Sequence, residues 1–169
     1  MIKKRVKKGI VMCDIGCGKN ASLIRGLTDT IERGVGLDSR TKSEIIGNIE
    51  TIPSNLENTL PLPSETFDLV TVLAVLEHIE NDSRLLAECH RILKKGGRIL
   101  ITVPTKANKP VGEFISYKLK LINPHHYRDH KRYYDKRKLG SDLERAGFKE
   151  RRLQYWEFGM NLFAEAYKR

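Results

Sequence analysis

The stretch Val11–Asn20, VMCDIGCGKN, decides the fold of this chain. An apolar run ends at Asp14, and a turn with the spacing Gly16-x-Gly18 follows at once. A short apolar run that stops at a glycine turn is typical of a buried strand, and glycines without side chains let a ligand come close to the backbone. We therefore expect a ligand to lie at this turn, next to a carboxylate.

The rest of the chain alternates between strand-like and helix-like patterns. Apolar runs at 35–37, 67–73 and 98–103 indicate strands, and helical spacing of apolar residues indicates helices at 21–33, 82–94 and 136–146. A further short strand is predicted at 44–46, and the proline-rich stretch 51–66 is predicted to be loop. This alternation predicts an α/β protein with a doubly wound, mostly parallel sheet, in which ligands bind at the carboxyl ends of the strands.

Two ligand classes fit the glycine turn. The stretch Gly16–Ala21 matches the dinucleotide pattern G-x-G-x-x-A, with Asp38 at a suitable distance for a ribose, as in a nicotinamide-dependent oxidoreductase. However, a diphosphate is repelled by a neighbouring carboxylate such as Asp14, whereas an ammonium group is attracted to it. S-adenosylmethionine carries an ammonium and a sulfonium but no phosphate, so the charge at the turn favours it.

Five segments, in this order, resemble the class I S-adenosylmethionine-dependent methyltransferases of the broad group that acts on small molecules. The segments are VMCDIGCGKN, GVGLDS, LPLPSETFDLVTVLAVLEHIEND, LLAECHRILKKGGRILITVP and HKRYYDKRKLGSDLERAGFKE. The resemblance implies a Rossmann-like methyltransferase fold with an antiparallel last strand, in one domain spanning 1–169. The chain departs from the family in four ways: Asn20 replaces a third glycine, Asn48 replaces the acid that often follows the third strand, no lid helices precede the first strand, and the helix after strand 2 is reduced.

The resemblance also assigns residues to the binding of S-adenosyl-L-methionine. Asp14, Gly16 and Gly18 would contact the methionine end, and Leu73 and Ala74 would lie under it. Asp38 and Ser39 would bind the ribose. Asn48 and Ile49 would border the adenine. The implied reaction is a direct in-line displacement, in which the enzyme contributes mainly alignment and desolvation.

Three histidines are candidate catalytic bases. His78 follows the fourth predicted strand, and His126 and His130 lie where this family builds its acceptor pocket. Each histidine also has a non-catalytic interpretation. His78 could help to cap the next helix, and His126 and His130 could lie in an exposed loop. His126 and His130 have the i, i+4 spacing of metal ligands, but without a third ligand in sequence reach we expect no metal.

The net charge and the cysteine content limit which binding partners and which cellular compartment we expect. The net charge of +10 suits a phosphorylated or carboxylated small-molecule acceptor, and nucleic acid is an alternative that no aromatic-basic pattern favours. Three cysteines without a CxxC pair and no apolar run of membrane-spanning length predict a cytoplasmic protein with no membrane span.

The missing lid leaves two alternatives open: a homodimer or partner subunit that supplies it, or a catalytically weak subunit that needs a partner. An RNA methyltransferase is a further alternative.

Overall fold

The computed structural model describes residues 2–107 and 132–169, which build one mixed sheet with helices packed on it. The strands are β1 Val11–Ile15, β2 Arg33–Asp38, β3 Glu44–Ile46, β4 Ile49–Pro53, β5 Phe67–Leu73, β6 Leu93–Pro104, β7 Phe148–Trp156 and β8 Asn161–Lys168. The helices are α1 Ser22–Arg25, α2 Asp82–Ile92 and α3 Lys136–Arg145, with single 3₁₀ turns at Lys3–Arg5 and Leu76–His78.

The sheet order is β3-β4-β2-β1-β5-β6-β8-β7. The five strands β4, β2, β1, β5 and β6 are parallel, β8 runs antiparallel between β6 and β7, and β3 is antiparallel to β4. The predicted doubly wound, mostly parallel sheet with an antiparallel last strand is therefore confirmed. Successive strands leave β1 on both sides, so the topological switch point lies between β1 and β5, where such sheets bind ligands.

Apolar side chains cover both faces of this sheet. On one face α2 buries Leu85, Leu86 and Cys89 completely or almost completely. On the other face Met12 and Leu69 pack with Ile24 of α1. Because the central strands are buried on both faces, they read as continuous apolar runs in the sequence.

The connection from β2 to β4 is the main departure from the sequence prediction. The predicted strand at 44–46 exists, but it is an extra antiparallel strand, and the third parallel strand is Ile49–Pro53, whose second half was predicted to be loop. Gly47, at a φ of 58°, and Asn48 form a two-residue turn between Ile46 and Ile49, a combination that favours a tight hairpin. The prediction that the helix after strand 2 is reduced is confirmed, since this hairpin takes its place.

The first helix is shorter than predicted. A helix at 21–33 was expected, but α1 ends at Arg25 and turns follow it. The Thr28 hydroxyl donates to the Arg25 carbonyl oxygen at 2.7 Å, so a side chain satisfies a group that a longer helix would bond through its backbone. In contrast, α3 begins as predicted, because Asp135 accepts a hydrogen bond from the Lys138 amide at 2.7 Å. No helix among residues 2–107 and 132–169 is long and apolar enough to cross a membrane.

Candidate active site

Asp14 lies at the centre of the carboxyl edge of the sheet, where β1 pairs with Gly36 of β2 and Thr71 of β5. Its side chain is 4% exposed and accepts a hydrogen bond from the Thr71 hydroxyl at 2.6 Å. Burial raises the pKa of Asp14 from 3.8 to about 7; the Thr71 hydrogen bond opposes this shift and the charge of Asp38 adds to it. A cation placed beside Asp14 would therefore favour the ionised form of a group that is half protonated near neutral pH.

Three backbone amides of the glycine turn after β1 donate hydrogen bonds to residues of β2. Gly16 and Cys17 donate to the Leu37 carbonyl oxygen at 2.7 and 3.1 Å, and the Gly18 amide donates to Oδ2 of Asp38 at 3.0 Å. A diphosphate-binding turn needs such amides for the phosphate oxygens. With these three amides engaged and two carboxylates beside them, the turn favours a ligand without a phosphate over a diphosphate.

The two glycines are needed for different reasons. Gly16 has a φ of 73°, and a Cβ there would lie 2.3 Å from Cγ2 of Val75. Gly18 has a φ of 71°, and a Cβ there would meet nothing within 4 Å. The Cβ of an alanine at Gly18 would therefore extend into the open space beside Asp38, in which a ligand could lie.

Asp38 ends β2 and is 5% exposed. Its carboxylate accepts from the Gly18 amide and from the backbone and guanidinium of Arg40. Burial alone would raise the pKa of Asp38, but these hydrogen bonds outweigh burial and hold the pKa below its ordinary value. Asp38 is thus an ionised acceptor at the edge shared with Asp14. Ser39 follows it and is exposed.

The end of β5 forms the third side of this edge. Leu73 is half-buried and Ala74 is exposed, with a left-handed φ of 54° at Ala74 that turns the chain sharply after the strand. Such a conformation is uncommon for a residue with a side chain and is frequent at ligand sites. The next residue, Val75, is the one that contacts Gly16, so the turns after β1 and β5 pack directly on each other.

Asn48 and Ile49 do not lie at this edge, and the prediction that they border the same crevice is wrong. Ile49 begins β4 and pairs with Gly34, near the start of β2. The Asn48 amide donates to the carbonyl oxygens of Thr28, Ile31 and Glu32, at the amino edge of the sheet. The sequence prediction took 44–46 as the third strand and so placed the residues after it at the wrong edge.

Ser54 and Asn55 occupy the place that was assigned to Asn48. Pro53 ends β4 opposite Asp38, and the Ser54 amide donates to the Asp38 carbonyl oxygen at 3.3 Å. Asn55 is exposed. Sequence reasoning missed these positions, although a Gly-Asn turn before an alternating stretch is a recognisable hairpin signal.

The predicted catalytic histidines have different outcomes. His78 lies in the 3₁₀ turn that follows β5, near the same edge, and is half-buried. His126 and His130 lie outside the described residues. Residues 2–107 and 132–169 contain no cluster of three or more His, Cys, Asp or Glu that could hold a metal ion.

Glu77 is a buried acid that sequence reasoning did not assign to the site. It is 2% exposed, and its Oε2 has no hydrogen-bond partner in the part of the chain described. Burial raises the pKa of Glu77 to about 7. The only signal in the sequence was its place four residues after a strand end, in the Glu77-His78 pair.

A cavity of about 370 Å³ opens beyond β6, at the same edge of the sheet. Thr105, which follows β6, and Gly159, in the β7–β8 turn, border it. Its remaining walls are aromatic or charged except at Ala107: Lys106, Ala107, Tyr133, Tyr134, Asp135, Lys138 and Tyr155. The Ala74 amide donates to the Thr102 carbonyl oxygen in β6, which links this region to the end of β5.

A doubly wound sheet whose switch point carries two buried acids and a turn without a phosphate cradle defines the class I S-adenosylmethionine-dependent methyltransferases. A family model described as "Methyltransferase domain" matches residues 13–101, more than half of the chain. The chain belongs to this family of enzymes, whose methyl donor is S-adenosylmethionine.

Curated relatives match part of the chain. Two ubiquinone/menaquinone biosynthesis C-methyltransferases are similar: that of Marinomonas sp. is 37% identical over 82 residues, and that of Hydrogenovibrio crunogenus is 36% identical over 110 residues. The matched segments are 48% and 64% of this chain, but only 31% and 38% of those proteins. The chain therefore spans about a third of the length of the curated relatives it matches.

Solved structures share the fold over nearly the whole chain. A methyltransferase of Haloferax volcanii, in complex with the Trm112 methyltransferase activator, has a TM-score of 0.73 at 20% identity, covering 96% of this chain and 84% of that one. A methyltransferase of Thermotoga maritima has a TM-score of 0.72 at 20% identity, covering 98% and 85%. At this identity the likeness establishes the fold alone.

Proposed function

We propose that this chain transfers a methyl group from S-adenosylmethionine to a small anionic acceptor by in-line displacement. The observation that carries the proposal is the glycine turn, whose three amides are bonded to Leu37 and Asp38 while Asp14 lies buried beside them. This arrangement offers carboxylates to a cationic nucleoside, and its three bonded amides are not available to the oxygens of a diphosphate. A nicotinamide dinucleotide is therefore disfavoured.

The roles of the residues follow from their positions. Asp14, as an ionised carboxylate, attracts the ammonium of the donor, and Asp38 accepts hydrogen bonds from the ribose hydroxyls. Leu73 and Ala74 form the floor at the end of β5. The donor supplies a methyl group on a sulfonium, which the acceptor nucleophile takes as the thioether leaves. The protein aligns the two partners and excludes water, so no covalent step on the chain is required.

The cavity beyond β6 is the proposed acceptor pocket. Tyr133 and Tyr155 offer aromatic surface to a flat ring, and Lys106, an exposed cation on its wall, suits a carboxylate or phosphate on that ring. The name of the curated relatives, C-methyltransferase, supports a carbon as the methylated atom. His78 is the proposed proton acceptor, since it lies near the end of β5.

Calorimetry with S-adenosylhomocysteine tests the donor site. We expect wild type to bind and Asp38→Ala to bind at least about tenfold more weakly, because a charged acceptor of two hydrogen bonds is lost. NADH should not compete. If wild type shows no binding at millimolar ligand, or binds NADH in preference, the proposal is wrong.

A matched pair of acceptors tests the pocket. Methyl transfer is measured to a phenolic carboxylate and to its neutral methyl ester. Lys106→Gln should raise KM for the acid and leave KM for the ester unchanged. Lys95→Gln, an exposed lysine near the amino edge of the sheet, is the control. Equal effects on acid and ester would show that Lys106 does not recognise the negative charge.

A second candidate function is donor binding by a chain that methylates only with a partner subunit. Two observations favour it: the Haloferax volcanii neighbour forms a complex with an activator, and Ile45 on edge strand β3 is 73% exposed. Purified chain that binds S-adenosylhomocysteine but methylates nothing until a partner is added would support this candidate. Activity of the purified chain alone, with a small acceptor, would exclude it. The RNA alternative predicts RNA binding that falls steeply with salt.

A further inference from the structure

The carboxylate of Asp38 already holds as many hydrogen bonds as it can accept. Oδ1 accepts from the Arg40 amide at 2.9 Å and from Nε of Arg40 at 3.1 Å. Oδ2 accepts from the Gly18 amide at 3.0 Å and from Nη2 of Arg40 at 3.2 Å. A carboxylate offers about four lone-pair sites, so all of them are in use.

The four donors differ in how easily they can leave. The Gly18 and Arg40 amides belong to the backbone of the two turns at the strand ends, and losing them would remodel those turns. The Arg40 side chain is 67% exposed, so its guanidinium can move into water. A ribose diol, which donates two hydrogen bonds, needs the same two sites that this guanidinium occupies.

We propose that Arg40 is an affinity-determining residue that competes with the ribose diol for Asp38, so that the donor binds only as the guanidinium moves away. This inference rests on the proposed function, because it needs Asp38 to be the ribose acceptor. No covalent bond is made or broken in this exchange. The free energy of breaking the Arg40–Asp38 pair is subtracted from the binding free energy of the nucleoside.

Salt gives the proposal a second signature. The Arg40 guanidinium of this ion pair is exposed, so salt screens its attraction to Asp38 and the competition by Arg40 should decline as ionic strength rises. The affinity advantage of a protein without this guanidinium should therefore be largest at low salt. A nucleoside without a diol should gain nothing at any salt, because it does not need the two sites.

The experiment is calorimetry of wild type, Arg40→Gln and Arg33→Gln. Arg33 is the matched control, because it opens β2 as Asp38 closes it, and its Nη2 makes an exposed ion pair with Glu50 at 2.6 Å. At low salt we expect Arg40→Gln to bind S-adenosylhomocysteine about threefold to tenfold more tightly than wild type, and Arg33→Gln to match wild type. The ratio of wild type to Arg40→Gln Kd should approach one at about 0.5 M salt.

The diol is tested with adenosine and 2′,3′-dideoxyadenosine. Arg40→Gln should improve binding of the first and leave the second unchanged. If Arg40→Gln binds S-adenosylhomocysteine no better than wild type, or more weakly, Arg40 is not a competitor and the inference is overturned while the proposed function stands. If neither folded protein binds, the proposed function fails, and the inference fails with it.

Discussion

The Thr71 hydroxyl on β5 donates to Oδ1 of Asp14 on β1 at 2.6 Å, across the switch point of the sheet. Thr71 is fully buried, and its hydroxyl also lies 3.3 Å from the Cys13 carbonyl oxygen. This contact fixes the direction of the one carboxylate that β1 delivers to the crevice. It also stabilises the ionised form of Asp14 against the effect of burial. The chemistry of the site therefore depends on a residue that no motif in the sequence identifies.

Thr71→Val should shift the pH midpoint of donor binding to higher pH. Without the hydroxyl, the pKa of Asp14 rises further above about 7, because the hydrogen bond that lowers it is gone. Binding of S-adenosylhomocysteine needs the ionised carboxylate, so affinity should fall near neutral pH and recover at higher pH. Calorimetry over a pH series measures the shift of this midpoint.

Thr51→Val is the control for that experiment. Thr51 is also buried, on β4, but its hydroxyl donates to the Lys42 carbonyl oxygen and not to an acid. It should leave the midpoint unchanged. A midpoint that is the same in Thr71→Val and wild type would show that the Thr71 hydroxyl does not tune Asp14.

Asp14→Asn should stabilise the protein at high pH while abolishing donor binding. The pKa of Asp14 is 3.8 in the unfolded chain and about 7 in the folded one, so the folded state holds a proton that the unfolded state has released. This contribution is fully present below about pH 4 and is lost as the pH rises to about 7, at up to about 1.4 kcal/mol per pH unit. The asparagine has no such loss and can still accept from Thr71.

Thermal unfolding of Asp14→Asn and wild type at two pH values measures this effect. The variant should have the higher Tm at about pH 8, and the difference should vanish or reverse at about pH 4. A difference between the proteins that is the same at both pH values would contradict the raised pKa.

Alanine substitutions at Gly16 and Gly18 should have different effects, mainly on stability at Gly16 and mainly on donor binding at Gly18. Gly16→Ala places a Cβ 2.3 Å from Val75 Cγ2, so it should destabilise the protein by more than the ~1 kcal/mol that a left-handed alanine costs. Gly18→Ala meets no atom within 4 Å, so it should cost only about that ~1 kcal/mol and weaken donor binding instead. Denaturant unfolding and calorimetry on both variants measure the two effects.

The double variant Gly16→Ala/Val75→Ala is the control. It removes the clash and keeps the backbone strain. Apart from the stability that is lost with the Val75 contacts, its free energy of unfolding should therefore lie between those of Gly16→Ala and wild type. Equal stability losses in Gly16→Ala and Gly18→Ala would show that the contact with Val75 is unimportant.

Tyr134→Phe should destabilise the protein through Asp82. The Tyr134 hydroxyl, fully buried, donates to Oδ2 of Asp82 at 2.8 Å and so ties the segment before α3 to the first turn of α2. Losing a hydrogen bond to a buried carboxylate should cost about 1–3 kcal/mol. Tyr155→Phe, at a tyrosine that is 43% exposed, should cost little. Equal costs in denaturant unfolding would show that the hydrogen bond from Tyr134 to Asp82 does not stabilise the fold.

The strand ends that carry acids could be predicted from the sequence. Asp14 and Asp38 each follow an apolar run, and parallel strands bring their carboxyl ends to one edge. The third parallel strand could not be predicted in the same way. Ile49–Pro53 is short and ends in a proline, and its pairing with β2 is long-range, so the preceding Glu44–Ile46 was taken for it. That error moved the predicted adenine contacts to the opposite edge.

Local patterns and chain connectivity encode most of the strands and helices, the glycine turn and the two acids at neighbouring strand ends, so these features could be inferred from the amino-acid sequence. The environment of each group follows instead from tertiary packing. Burial and the Thr71 hydroxyl set the pKa of Asp14, and Arg40 saturates the hydrogen-bonding sites of Asp38. The pKa of Asp14 depends on desolvation and on a hydroxyl 57 residues away in the chain. The saturation of Asp38 depends on the conformation of the turn after β2, which brings the Arg40 guanidinium back to the carboxylate.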